Sequence, residues 1–160
     1  MVPTRDFYRS PNGQLDLRSA RHLKCVGGVY AILLPSAWFS APRIVHLHGP
    51  KRIPIPFEFT VPDLTGDGYG LVYVGRTTNL CQRWTGHLGK GKRKDGGQVK
   101  FGLVDCGLHP DEATALQALR KHARIVYTVL DAQEKCADRD LLEMSLCARF
   151  APPFNIKSER

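Results

Sequence analysis

Val72-Tyr73-Val74-Gly75-Arg76-Thr77-Thr78-Asn79-Leu80-Cys81-Gln82-Arg83-Trp84-Thr85-Gly86-His87 is the stretch on which the reading of this chain turns. Its first part, with Tyr69-Gly70-Leu71 ahead of it, is apolar and β-prone and follows the turn signal Thr65-Gly66-Asp67-Gly68, so a strand is predicted over 69–74. The second part reads as a helix from about Thr78 to His87. Thr77, Thr78 or Asn79 can cap its start and Gly89 can end it. Leu80, Trp84 and Leu88 recur every four residues and form a buried stripe. Arg83 and His87 are also four apart and share a face beside that stripe, at the edge of the core.

Upstream, Gly28 to Leu34 is short, apolar and bounded by glycine and Pro35, as a buried strand would be. Between the two strands, residues 35–70 hold six prolines: Pro35, Pro42, Pro50, Pro54, Pro56 and Pro62. Strand-like pieces at Arg43 to Leu47 and Ile53 to Val61 are joined by His48-Gly49-Pro50-Lys51, and proline confines such pieces to edges or irregular segments. An inserted arm is predicted here. Arg43, His46, His48, Lys51 and Arg52 make it basic, which suits either a nucleic-acid contact or a solvated loop. Residues 1–24 form a basic lead-in with a turn at Ser10-Pro11-Asn12-Gly13; Leu15, Ala20 and Leu23 fit one face of a short helix.

Downstream, Gly89 to Gly97 is a Gly/Lys-rich loop. Val99 to Cys106 is a strand or a short helix, which periodicity does not decide. Asp111 to Arg124 is a helix with Pro110 near its start, Ile125 to Leu130 a third strand, and Gln133 to Phe150 a last helix stopped by Pro152-Pro153. The elements do not alternate as in a doubly wound sheet. The expected class is α+β: one domain over 1–160, with a small, mostly antiparallel three-stranded sheet flanked by helices and a Pro-rich arm inserted between its first two strands.

The bulk numbers agree with one domain. The chain has 160 residues, 42% of them hydrophobic, enough for a core. No apolar run approaches the roughly 18 residues that span a bilayer, and the first residues lack a signal peptide's apolar region, so a soluble cytoplasmic protein is expected. Five separated cysteines with no Cys-x-x-Cys pair fit neither a disulfide framework nor a zinc ribbon, and are expected as reduced packing residues. A formal net charge of +8 favours polyanionic partners, nucleic acid first. From Arg76 to Lys100, seven positive residues (Arg76, Arg83, Lys90, Lys92, Arg93, Lys94 and Lys100) oppose only Asp95, a net of +6. Gly89, Gly91, Gly96 and Gly97 make its loop pliable, and the loop is expected to straddle a phosphate backbone.

Taken singly, the chemistry-bearing residues are ordinary. Glu143 lies between Leu142 and Met144 on the last helix, so its carboxylate is expected half-buried and in need of a partner or a metal. Asn155 follows Pro152-Pro153-Phe154 as a turn asparagine would. Taken together, Gly28-Val29-Tyr30, the Tyr73-Val74-Gly75-Arg76-Thr77-Thr78-Asn79-Leu80 string, Arg83, His87, Glu143 and Pro153-Phe154-Asn155 resemble, in order, the GIY-YIG nuclease domain. The resemblance covers residues 28–155. It departs from the compact family pattern where residues 31–71 separate the two tyrosine motifs, as in restriction-type and mobile-element members that carry insertions.

The resemblance implies an endonuclease that hydrolyses phosphodiester bonds of DNA and leaves 5′-phosphate and 3′-hydroxyl ends. Glu143 would hold one divalent ion, Mg²⁺ with Mn²⁺ as a substitute. Arg83 would fork onto phosphate oxygens. Tyr30 or Tyr73 would be the general base, His87 would relay a proton or hydrogen-bond a tyrosine, and Asn155 would hold phosphate or the site's edge. Arg76, Lys90, Lys92, Arg93, Lys94, Arg43, Lys51 and Arg52 would grip nucleic acid. Free tyrosine has a pKa of about 10, so cations near it, Arg76, Arg83 and the metal, are expected to depress that value. A monomer or a homodimer is compatible with this reading. The residues also leave open a catalytically inactive nucleic-acid-binding module and an RNA-directed nuclease.

Overall fold

In a computed structural model, residues 17–48, 54–89 and 97–155 are described. Strands β1 (Gly28–Pro35), β4 (Tyr69–Thr77) and β5 (Arg124–Val129) form one sheet in the order β4-β1-β5, antiparallel throughout. β1 is central and is buried on both faces, which explains its near-continuous apolar run. Between β1 and β4 lies a separate antiparallel pair, β2 (Arg43–His48) and β3 (Pro54–Phe59). Its prolines fall on β3, which pairs on one side only. Val45 and Phe59 bury this pair against the core, with Phe59 5.8 Å from both Phe39 and Phe154 between ring centroids.

Among the described residues, four α-helices pack around the sheet: α1 (Leu80–His87), α2 (Gln98–Asp105), α3 (Glu112–His122) and α4 (Cys136–Phe150). Asn79 caps α1 by accepting from the Gln82 amide at 3.0 Å, so the helix opens at Leu80 rather than at Thr78. Asp111 caps α3 through the Thr114 amide at 2.8 Å, which leaves Pro110 ahead of the cap. The segment around Val99 to Cys106 is helical: Val99, Leu103 and Cys106 are buried one turn apart. A short 3-10 turn at Gln133–Lys135 precedes α4. α4 ends at Ala151 in the left-handed region, φ 43°, immediately before Pro152. The lead-in holds a 3-10 helix at Leu17–Leu23, with Ala20 and Leu23 buried.

The core fills the space between one sheet face and the helices α1, α2 and α3, with Tyr30, Ile32, Val72, Trp84, Leu103, Leu119 and Ile125 at its centre. α4 runs along β4 and β1. Strand pairing sets Tyr30 opposite Gly75 and Ile32 opposite Tyr73, so the two tyrosines are diagonal neighbours on one face. Gly75 is required by close approach: a Cβ there would lie 2.5 Å from the Tyr30 hydroxyl oxygen and 2.6 Å from its ring.

Two expectations need correction. All five cysteines are free, but only Cys106, buried, and Cys81, partly buried against the core, are packing residues; Cys25 and Cys136 are exposed. Lys100 is not a surface cation. It is 6% exposed and donates to the Gly89 carbonyl at 2.9 Å, while Arg120 donates to the Leu88 carbonyl at 2.8 Å. Both charges are spent on the carbonyl end of α1, where the helix dipole favours them. No helix among the described residues is long and apolar enough to cross a membrane.

Candidate active site

β3, β4, α1, α2, α4 and the segment after α4 converge on one cleft of about 560 Å³. β4 contributes Tyr73 and Arg76, α1 contributes Arg83, α4 contributes Arg139 and Glu143, the segment after α4 contributes Asn155, and β3 contributes Phe57. Behind Tyr73 lies a second layer made of Tyr30 from β1 and His87 from α1. The Tyr30 hydroxyl and His87 Nε2 are 2.7 Å apart and Arg83 Nε donates to the same hydroxyl at 3.3 Å. The Tyr73 ring lies 6.1 Å from Tyr30 and 4.8 Å from His87 between centroids. The i,i+4 spacing of Arg83 and His87 is what delivers both to the tyrosines from one helix.

Burial dominates the protonation of this cluster. Tyr30 is held well above the ordinary phenol value, first by desolvation and then by the neighbouring Tyr73. Tyr73 is also raised, by desolvation, but Arg83 and a hydrogen bond from Tyr30 oppose the rise. The expected depression of a tyrosine by its cations therefore does not occur in the protein alone. Arg76 is turned away from the tyrosines, and Arg83 offsets only part of the burial. Arg83 favours both anions, but the hydrogen bond between the two phenols favours the Tyr73 anion and opposes that of Tyr30, so Tyr73 is the less strongly raised of the two. His87 is lowered to about 3 by burial and by Arg83, so its imidazole is neutral across the working range. Its Nδ1 is buried and has no hydrogen-bond partner among the described residues. An unpartnered acceptor costs less there than an unpartnered N–H, which favours the tautomer with the proton on Nε2, donating to Tyr30.

Arg76 and Glu143 form an ion pair. Arg76 Nε donates to Glu143 Oε2 at 2.7 Å, and Arg76 also pairs with Asp140 one turn earlier on α4. Arg76 is thus placed on carboxylates rather than held out for a phosphate. Asn155 is a structural clamp: its side-chain oxygen accepts from the Val74 amide at 2.6 Å and its amide nitrogen donates to the Val74 carbonyl. With the Phe154 amide donating to the Val72 carbonyl at 3.1 Å, it covers the outer edge of β4. Both polar ends of the Asn155 side chain are thus engaged on Val74, and the residue lines the edge of the cleft.

Arg43 lies on β2 away from the cleft's lining, with its Nε buried and lacking a partner among the described residues. Lys51, Arg52, Lys90, Lys92, Arg93 and Lys94 lie outside the described residues. Three cleft residues were not anticipated from sequence. Arg139 is 5% exposed, donates to the Leu130 carbonyl, and stands four residues before Glu143 on the same helix, a spacing that could have flagged it. Phe57 and Gln98 carry no such signal.

Among the described residues no group of three His, Cys, Asp or Glu side chains is placed to hold a metal. One mostly buried carboxylate, Glu143, on the wall of an open cleft fits a hard cation that keeps most of its water shell, as Mg²⁺ does. No family model, no curated protein and no solved structure matches this chain.

Proposed function

We propose that this chain is a metal-dependent endonuclease of the GIY-YIG type acting on DNA. The observation that carries the reading is the meeting of Tyr73, Arg83 and Glu143, from β4, α1 and α4, at a single cleft, with buried Tyr30 and His87 packed directly behind Tyr73. The five are dispersed over 114 positions, from 30 to 143, and a cleft wall backed by a proton-donating layer is what phosphodiester hydrolysis asks of them.

Tyr73 is the general base. It borders the cleft, whereas Tyr30 and His87 form the layer behind it. A chain of donors, His87 Nε2–H to Tyr30 and Tyr30 to Tyr73, with Arg83 beside them, favours the Tyr73 anion. The water's proton passes to the Tyr73 oxygen as its own oxygen bonds to phosphorus. The bond from phosphorus to the 3′ oxygen breaks, and solvent reprotonates that oxygen. The products carry 5′-phosphate and 3′-hydroxyl ends. Arg83, charged at every working pH, faces the phosphate and neutralises the developing negative charge. Mg²⁺ held through Glu143, or Mn²⁺ in its place, would supply Lewis-acid stabilisation of the scissile phosphate and the leaving oxygen.

Digestion of plasmid DNA with Mg²⁺, with EDTA and matched RNA as controls, tests the reading. Cleavage of the plasmid, its loss in EDTA and in Glu143→Ala, and retained DNA binding by that variant are expected. Mg²⁺-dependent cutting by Glu143→Ala would remove Glu143 from its role. Cutting of RNA alone would move the substrate class.

A further inference from the structure

The cleft is larger than the proposed chemistry requires. A cation with an octahedral water shell occupies about 180 Å³, at roughly 30 Å³ for each of about six waters. The cleft has about 560 Å³. Tyr73, Arg83 and Glu143 make up part of its lining. The same lining holds residues of another kind. Phe57, on β3, is half-buried and presents an aromatic surface, and Gln98, the first residue of α2, reaches the same cleft. The Gln98 side-chain oxygen is buried and has no hydrogen-bond partner among the described residues. A buried amide acceptor left without a donor carries a standing cost that a ligand's N–H removes.

We infer that Phe57 and Gln98 form a nucleobase subsite beside the catalytic wall, in which the ring of Phe57 packs on a base and the Gln98 amide reads its edge. This rests on the proposed nuclease reading and adds a base preference to it. A carboxamide offers one acceptor and one donor side by side. Adenine presents the complement, its 6-amino group to the Gln98 oxygen and a ring nitrogen to the Gln98 amide N–H. Aromatic packing tolerates any base, so Phe57 supplies affinity and Gln98 supplies the choice. The inserted β2–β3 pair thereby gains a function: it carries Phe57 to the cleft mouth.

The test is a binding selection from a randomised single-stranded DNA pool in EDTA, with wild type, Gln98→Leu, Gln98→Glu and Phe57→Ala, each checked for folding by its thermal transition. Wild type enriches adenine at one fixed position. Gln98→Leu loses that preference by about 5- to 150-fold, the worth of one bidentate contact. Gln98→Glu, which accepts but cannot donate, shifts the position toward cytosine; this arm stands even if the leucine variant does not fold. Phe57→Ala weakens binding without changing the preferred base. Purine deoxyriboside, which lacks the 6-amino group, replaces the preferred adenosine at a cost matching Gln98→Leu, and the two losses do not add. Binding with one and the same base profile in wild type and both Gln98 variants overturns the subsite and leaves the nuclease reading standing. Absence of nucleic-acid binding by the wild type overturns both.

Discussion

As the proposed general base, Tyr73 must lose a proton before it can take one, and its burial sets the pH range in which that happens. Because desolvation raises its pKa above that of a free phenol, the active anion is a small fraction at neutral pH and grows about tenfold for each pH unit below the pKa. The expected kcat/KM profile therefore climbs with a slope near one from about pH 7 to 9, with Tyr73→Phe inactive. His87 adds no inflection near 6.5, since it stays neutral down to about 3. A plateau centred on neutral pH would remove Tyr73 from the role. The same histidine has a consequence for stability. Its folded pKa is depressed, so the unfolded chain binds the proton first and stability falls as pH drops below about 6.5. The loss accumulates by about 1.4 kcal/mol per pH unit and reaches roughly 5 kcal/mol near pH 3. Urea midpoints measured from pH 7 down to 4 should decline less steeply in His87→Gln than in wild type. Equal slopes would mean that His87 is not the buried neutral group described.

Arg76 makes a second residue-level prediction. Its guanidinium sits on a carboxylate oxygen of Glu143, where a divalent ion would also bind, and two cations contest one ligand. Arg76→Gln should bind Mn²⁺ several-fold more tightly, about three- to tenfold for the removal of a nearby positive charge that solvent partly screens. The reading is the free-ion signal in an electron paramagnetic resonance titration of the protein without DNA. An unchanged affinity would show that Arg76 and the metal use Glu143 without interference.

At the scale of elements, the site depends on strands that meet without side-chain clearance. The Tyr30 ring lies across Gly75, and the Tyr30 hydroxyl is also the group that His87 and Arg83 address. Gly75→Ala forces the ring away, because the obstructed atoms include the rigid ring carbons and not merely a flexible tip. A loss of about 1–3 kcal/mol in stability is expected from overpacking, together with a drop in cleavage larger than the change in DNA affinity. Retained activity and an unchanged thermal midpoint would mean that Tyr30 need not sit where it does.

Much of this arrangement was legible in the chain. The strand and helix read from Val72 to His87 are β4 and α1, and the Leu80/Trp84/Leu88 stripe is buried as its spacing demands. Local periodicity reports such faces because each side chain's burial follows from its own element. Gln98 and Arg76 could not be read this way. Their surroundings, the shared cleft for Gln98 and α4 for Arg76, are fixed by tertiary packing and not by neighbours in sequence. Helix α2 was ambiguous for a related reason. Its apolar residues serve a core on one side, while the polar Lys100 is buried by a bond to a carbonyl 11 positions earlier.

For the molecule as a whole, the question is how a net charge of +8 is deployed. Charge alone suggested that every cation from Arg76 to Lys100 faces a polyanion. Two of the seven do other work: Arg76 on Glu143 and Lys100 on the Gly89 carbonyl, while Arg83 lies inside the cleft, where the proposed reading gives it the scissile phosphate. On that reading, backbone grip beyond the scissile phosphate falls to Lys90, Lys92, Arg93 and Lys94, a run bounded by glycines. Each phosphate neutralised by such a residue releases condensed counterions and adds about 0.9 to the slope of log affinity against log salt. Replacing Lys92, Arg93 and Lys94 together by alanine should flatten that slope by about 2.7 while leaving any base preference intact, since phosphate contacts position and do not specify. Lys100→Ala should instead lower the thermal midpoint and leave the salt slope near wild type, because its charge is buried on a carbonyl and neutralises no phosphate. If the Lys92/Arg93/Lys94 substitution leaves the slope unchanged, the basic run is not the grip, and the duplex must be held by a different face of the protein.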